Sequence, residues 1–287
     1  MSLKRKRGME QIIDSRIVTF VIGKDDSARE FRVHEGALTC LSEPLRALLT
    51  GEMQESLEGK VILDDVEPAT FLHLLDYAYT GSYPIQLLEI KENAKEDMNE
   101  EDSEEEYDSS ESLRTWIKTL SSRKSNKRHA VSDFCKQHFS KNGNSAVTLA
   151  GKDLPPLQED SEEGSDGTHS QILLALDHLM EPAKLYILAD KYLIDDLKSL
   201  CVDDIRQKLY NGVVEDDLLT HVCSVLRFLH PHTLPRDKLR KLLLRYFIGV
   251  LGWKMKNEDV RELLSEFPDF AVELLFKIPD TYWEELV

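Results

Sequence analysis

The stretch that decides the fold of this chain is EFRVHEGALTCLSEPLRALLT, residues 30–50. Residues 31–33 alternate between apolar and polar, which is the pattern of a short strand with one buried face. Apolar residues then follow at helical spacing. Ser42 is a suitable N-cap for a further helix, and Pro44 suits the first turn of that helix. A strand that leads directly into two short helices predicts a small α+β module.

Two more strands and a longer helix are predicted on either side of this stretch. Residues 17–22, IVTFVI, are an unbroken β-branched and aromatic run, which predicts a strand buried on both faces. A polar turn follows, so we expect this strand to pair with the next one as a hairpin. Residues 61–63 predict a third strand, and Pro68 suits the start of a helix. Four residues of that helix predict a core-facing stripe: Phe71, Leu74, Leu75 and Ala78.

The order of these segments resembles a BTB/POZ domain of the type abundant in filamentous fungi. The resemblance rests on the strand that ends at residues 33–34, the Ser-x-Pro helix entry at Ser42, and the YTG at 79–81 that closes the third helix. It implies an α+β fold, with a small sheet of three to four strands flanked by about five helices. It also implies a function in protein–protein interaction.

A charged insertion is predicted at residues 86–168. Its acidic part, with EDSEEEYDSSE at 101–111, has too few apolar residues to offset the entropy of ordering. A solvated linker and a tail phosphorylated at Ser103 are the alternatives for this part. Residues 114–141 are basic, and we expect them either to pair loosely with the acidic run or to contact nucleic acid or a membrane. The whole insertion is predicted to be disordered, with one short helix as an alternative around Leu113, Trp116, Ile117 and Leu120.

Helices are predicted again after the insertion. Pro182 is expected to open one helix, and Asp195 suits the N-terminus of the next. Residues 185–205 resemble the last two helices of the BTB fold, and the fold tolerates the insertion because loop-closure cost grows only logarithmically with length. The last part resembles a BACK-like helical extension, in which Val272, Leu275 and Phe276 are predicted to face the core. The predicted order is a basic tail (1–14), a first BTB part (15–85), the insertion (86–168), closing helices (169–210) and the extension (211–287).

No catalytic constellation is found in the sequence. Cys135 and His138 are only half of a zinc motif, because no second Cys/His pair follows them. His34 is expected to be a core histidine rather than a general base. The sequence contains no P-loop, GxGxxG, HExxH or GxSxG motif. We therefore predict a protein that is not an enzyme and needs no cofactor.

The composition disfavours several other function classes. The net charge of −17 opposes direct binding to nucleic acid. A transmembrane helix is not predicted, because no run of about 18 apolar residues occurs. Four scattered cysteines fit reduced thiols in the nucleus or cytoplasm. The KRKR at residues 4–7 is either a nuclear import signal or a solvated terminus, and no apolar signal-peptide core follows it.

The resemblance also implies specific partners. BTB domains commonly form homodimers, and many act as substrate adaptors for cullin-3 ubiquitin ligases. Such adaptors often carry a hydrophobic–any–Glu motif at the start of the third helix, and Phe71, Leu72 and His73 occupy that place here. Because His73 replaces the Glu, the loss of about 1–3 kcal/mol would weaken cullin binding tenfold or more. Tyr79 completes this predicted partner-binding group.

Three functions therefore stay open at this point. The first is an interaction protein that dimerises and serves as a cullin-3 adaptor, with an unidentified protein bound by the C-terminal helices. The second is a nuclear transcription or chromatin co-regulator without a DNA-binding domain of its own, and the third is a purely structural self-association protein. The basic N-terminus and the acidic insertion favour the second.

Overall fold

The chain divides into two compact units in a computed structural model. Unit 1 comprises Met1–Gln86 and Met180–Ile205, and unit 2 comprises Leu87–Leu179 and Arg206–Val287. The basic run at residues 4–7, the acidic run and Ser103 lie outside the residues that the structure describes. Those residues are 8–52, 54–84, 90–91, 112–115, 117, 129–140, 171–172, 175–212, 216–254 and 257–280.

Unit 1 is built on a three-stranded sheet with the order β2-β1-β3. The hairpin pairs β1 and β2 antiparallel and places Phe20 opposite Phe31. The third strand lies parallel to β1 and places Val61 opposite Phe20. The predicted α+β architecture, hairpin and third strand are therefore confirmed. The strands are β1 (Ile17–Ile22), β2 (Arg29–His34) and β3 (Lys60–Leu63).

Only one face of β1 is buried. Val18, Phe20 and Ile22 are at most 1% exposed, whereas Ile17 is 58% exposed. The prediction of a strand buried on both faces was wrong. β-branched residues favour strands on exposed as well as buried faces, so an unbroken run does not show how many faces are covered.

Helices of unit 1 begin and end at the residues that the local sequence favours. The Leu45 N–H donates to the Ser42 hydroxyl at 3.4 Å, and Pro44 lies in the first turn of that helix. Gly81 ends the long helix with φ of +78°, a conformation that glycine adopts at little cost. The short helix over 54–58 was not predicted, because that stretch is largely polar. The helices are α1 (Met9–Ile13), α2 (Glu35–Thr39), α3 (Glu43–Thr50), α4 (Gln54–Glu58) and α5 (Pro68–Thr80).

Part of the predicted disordered insertion is ordered. Residues His129–Phe139 form helix α6, in which Cys135 and Phe139 are buried. The Phe139 ring lies 6.2 Å from the ring of Tyr246, and a side chain at Gly249 would press on the Cys135 sulfur. The prediction of disorder is wrong for this segment, because two apolar residues one turn apart give it a face to bury. Leu113 and Ile117 are also buried, and a strand pair joins Ile90–Lys91 to Gln171–Ile172.

Pro182 does not open a helix, contrary to the prediction. Helix α7 spans Leu176–Lys191 and contains Pro182 in its interior. A proline has no N–H group, so the carbonyl of His178 loses its helical donor. The Lys208 ammonium donates to that carbonyl at 2.8 Å. A buried cation thus satisfies the acceptor that the proline leaves, and local sequence gives no sign of it.

Apolar residues line the buried sides of the remaining helices. Helix α8 buries Leu197, Cys201, Ile205 and Leu209, which repeat every fourth residue. In the helix over Pro268–Lys277, Phe270 and Leu274 are buried instead of the predicted Val272, Leu275 and Phe276. Both sides of that helix are apolar, so periodicity does not select the buried side. These helices are α8 (Asp195–Asn211), α9 (Asp216–Leu229), α10 (Lys238–Lys254), α11 (Glu258–Glu266) and α12 (Pro268–Lys277).

None of the described helices is both long enough and apolar enough to cross a lipid bilayer.

Candidate partner-binding surface of unit 1

Helix α5 carries all four residues of the predicted partner-binding group, but it turns them in different directions. Phe71 is 1% exposed, and its ring centroid lies 5.1 Å from that of Phe20 and 5.3 Å from that of Phe31. These three rings form the centre of the contact between α5 and the sheet. The Phe71 side chain is therefore not available for a partner to touch while the domain is folded.

The next two residues of the predicted adaptor motif, Leu72 and His73, are more exposed than Phe71. Leu72 is 37% exposed. His73 is half-buried, and its ring lies 5.9 Å from the ring of Tyr83. Its Nδ1 atom is buried and has no hydrogen-bond partner among the described residues. His73 thus stands where the motif has a Glu, and its Nδ1 atom faces the interior.

Tyr79 has a structural role at the end of α5. The His34 backbone N–H donates to the Tyr79 hydroxyl at 3.1 Å, and the same hydroxyl lies 3.0 Å from His34 Nδ1. The hydroxyl can donate to that nitrogen when the nitrogen is unprotonated, so one tyrosine satisfies two groups of His34. This pair fastens the end of β2 to α5. His34 is half-buried and is held in place by this contact.

Three polar contacts that sequence reasoning missed join residues 65–83 to residues 184–204. The buried Tyr83 hydroxyl donates to a carboxylate oxygen of the buried Asp204 at 2.8 Å. Burial, together with nearby acidic groups that include Asp204, raises the pKa of Tyr83. The partners of each contact are 117 to 126 positions apart, so local spacing cannot reveal them. The other two contacts are Lys184–Glu67 and Lys191–Asp65, both at 2.7 Å.

An apolar surface at the start of unit 1 was also missed. Met9, Ile13 and Ile17 are 52%, 57% and 58% exposed. Helix α1 is held in place by Ser15, whose hydroxyl donates to the Ile12 carbonyl and accepts from the Gly36 N–H at 2.8 Å. A Cβ atom at position 36 would lie 2.9 Å from that hydroxyl, so only glycine allows this approach. We call Met9, Ile13 and Ile17 the N-terminal apolar surface.

Cys135 is buried, and burial raises the pKa of its thiol to about 12. Among the described residues, no group of three or more His, Cys, Asp and Glu could hold a metal ion.

The comparisons with known proteins agree with the fold. Residues 10–102 match the BTB/POZ domain family. This chain contains a BTB/POZ domain. It is 36% identical to human Kelch-like protein 30 over 83 residues, which is 29% of this chain and 13% of that protein. It is 34% identical over 58 residues to mouse TD and POZ domain-containing protein 4, which is 20% of this chain and 16% of that protein.

The chain thus spans less than a fifth of the length of these curated relatives. The family match ends at residue 102 and does not include residues 180–205, which the structure nevertheless places in unit 1. The likeness to the fungal type and to a BACK region stays a prediction.

Phe71→Ala is expected to lower the free energy of unfolding by about 3–5 kcal/mol, because it leaves a cavity next to the rings of Phe20 and Phe31. Leu72→Ala is the matched control on the same helix and should cost well under half as much, since Leu72 is partly exposed. Urea unfolding followed by circular dichroism measures both variants. Equal losses for the two would contradict the burial described for Phe71.

Tyr83→Phe is expected to lower the free energy of unfolding by about 1–3 kcal/mol, because it removes the hydroxyl that donates to the buried carboxylate of Asp204. Asp65→Asn breaks an exposed ion pair within the same unit and should cost at most about 1 kcal/mol. Chemical unfolding of both variants makes the comparison. A smaller loss for Tyr83→Phe than for Asp65→Asn would show that the Tyr83–Asp204 contact contributes little.

Proposed function

We propose that this protein is a non-enzymatic protein-interaction protein whose BTB/POZ domain forms homodimers. The N-terminal apolar surface carries this proposal. Three large apolar side chains lie within nine residues of the chain and are each more than half exposed. Large exposed apolar side chains that lie close together in the chain are candidates for a protein interaction site. Kelch-like and TD and POZ domain-containing proteins, which share the domain, support an interaction function over an enzymatic one.

The homodimer is tested by size-exclusion chromatography with light scattering. The wild-type protein should show a molar mass twice that of one chain, which is 33.0 kDa. The double substitution Met9→Glu and Ile13→Glu should weaken the dimer at least tenfold, because it places two charges in the apolar contact. Leu57→Glu is the control, since Leu57 is 77% exposed on α4. A monomeric wild type, or a double variant as dimeric as the control, would reject the proposal.

An adaptor function for a cullin-3 type ubiquitin ligase is a second proposal, which draws on the similarity to Kelch-like protein 30. Leu72 holds the middle position of the motif and is 37% exposed, so it is an apolar side chain that a cullin can touch. His73 in place of Glu argues for weak binding. Because Phe71 is buried, Leu72 and residue 73 are the members of the motif that a cullin can touch directly.

His73→Glu restores the motif and is expected to strengthen binding to the purified cullin-3 N-terminal domain by about tenfold. Leu72→Glu is expected to remove the binding, and Leu57→Glu should leave it unchanged. Isothermal titration calorimetry measures the affinities, and circular dichroism verifies that each variant is folded. Absence of binding by both the wild type and the His73→Glu variant would reject the adaptor proposal without affecting the homodimer.

Nuclear localisation and a role as a co-regulator are further proposals. They draw on the basic residues 4–7 and on the acidic run, which lie outside the described residues. Cytoplasmic localisation is the alternative that the reduced cysteines allow equally.

A further inference from the structure

Helix α1 is too short to keep its conformation unaided. It has five residues, of which Ile12 is the buried one, and no side chain caps its first turn. An isolated helix of fewer than about 12 residues is marginal in water. Met9 and Ile13, the two residues that α1 supplies to the N-terminal apolar surface, therefore depend on contacts with the rest of unit 1 for a fixed position.

Arg16 lies between the end of α1 and the start of β1. Its backbone carbonyl accepts from the Glu35 N–H at 2.8 Å. Its guanidinium donates from Nε to the Glu35 carboxylate at 2.9 Å. The same guanidinium donates from Nη1 to the Ser56 carbonyl and from Nη2 to the Leu49 carbonyl, both at 2.9 Å. These bonds join the residue between α1 and β1 to three helices, α2, α3 and α4.

The carbonyls of Leu49 and Ser56 need donors from outside their own helices. Each lies in the last turn of a short helix, where carbonyl groups have no helical N–H partner. Arginine presents its donors on three nitrogens in one planar fork, which matches three separate acceptors. Lysine carries all its donors on a single nitrogen and cannot reproduce this geometry. The contacts of residue 16 are therefore specific to arginine.

Ser15 secures the other side of the same junction. Its hydroxyl donates to the Ile12 carbonyl at the end of α1 and accepts from the Gly36 N–H in α2. Ser15 thus connects α1 to α2, while Arg16 connects the following residue to α2, α3 and α4. Together they fix the direction in which α1 leaves the sheet, and with it the position of the two α1 residues of the N-terminal apolar surface.

We propose that Arg16 is a positioning residue for homodimerisation, which holds α1 in the conformation that a second copy of the chain binds. A surface that is ordered before binding avoids the entropy lost when a helix is ordered during binding. A two-fold dimer uses α1 of both subunits, so the loss of this order counts twice in the dissociation constant. The inference rests on the homodimer proposed above and adds a residue outside the N-terminal apolar surface.

Sedimentation equilibrium of the full-length chain measures the dissociation constant of the dimer. Arg16→Gln should weaken the dimer by about tenfold, because it removes the fork while every apolar side chain stays in place. Arg16→Lys keeps the charge without the fork and should weaken the dimer almost as much. Arg46→Gln is the matched control and should leave the dissociation constant within about twofold of wild type. The side chains of Arg16 and Arg46 are 44% and 45% exposed, and Arg46 also donates to a carboxylate and a carbonyl.

Amide hydrogen exchange separates positioning from a general loss of stability. It is measured at a concentration well below the dissociation constant of the wild type, where each protein is monomeric. The N–H groups of Ile12, Asp14 and Ser15 bond within α1 and its end. In Arg16→Gln these three amides should exchange faster than in the wild type, while the amides of β1 should change no more than they do in Arg46→Gln.

The outcomes of the two measurements are distinct. A dimer of Arg16→Gln as tight as that of the wild type would overturn the inference and leave the homodimer intact. Exchange of the α1 amides at the wild-type rate in Arg16→Gln would also overturn it, because Arg16 would then not hold α1. A wild-type chain that stays monomeric would reject the homodimer and, with it, the inference.

Discussion

The hydrogen bond from Tyr83 to Asp204 ties together two parts of unit 1 that lie 121 positions apart in the chain. Both side chains are buried, so a water molecule cannot replace either partner of this hydrogen bond unless the unit unfolds. The ion pairs at Lys184 and Lys191 join the same two segments at the surface, where they contribute less. A unit closed in this way tolerates a long insertion, because the cost of closing a loop rises slowly with its length.

The packing of unit 1 determines which side chains of the BTB/POZ domain are exposed to other proteins. The sheet and α5 share an aromatic centre of Phe20, Phe31 and Phe71, which leaves Leu72 and the N-terminal apolar surface on the outside. In unit 2 the buried Arg240 on α10 donates to the Asp269 carboxylate in the first turn of α12, which joins these two helices.

Local elements could be predicted because their signals lie within a few residues. Ser42, Pro44 and Gly81 mark helix ends through capping and backbone conformation, and the hairpin follows from two apolar runs around a polar turn. The candidate site was predicted less well. Phe71 was assigned both to the core stripe and to the partner-binding group, and counting along a motif cannot tell which applies. Burial depends on the tertiary contacts with Phe20 and Phe31.

The features that sequence reasoning missed depend on distant residues. Pro182 is accommodated inside a helix by Lys208, and α6 becomes ordered through its contact with Tyr246. Native-state hydrogen exchange in increasing urea tests the central claim that residues 1–86 and 180–205 form one folding unit. Slowly exchanging amides of β1, β2 and residues 185–205 should open with the same free energy and the same urea dependence. Opening of residues 185–205 at a clearly lower free energy than the sheet would contradict the account.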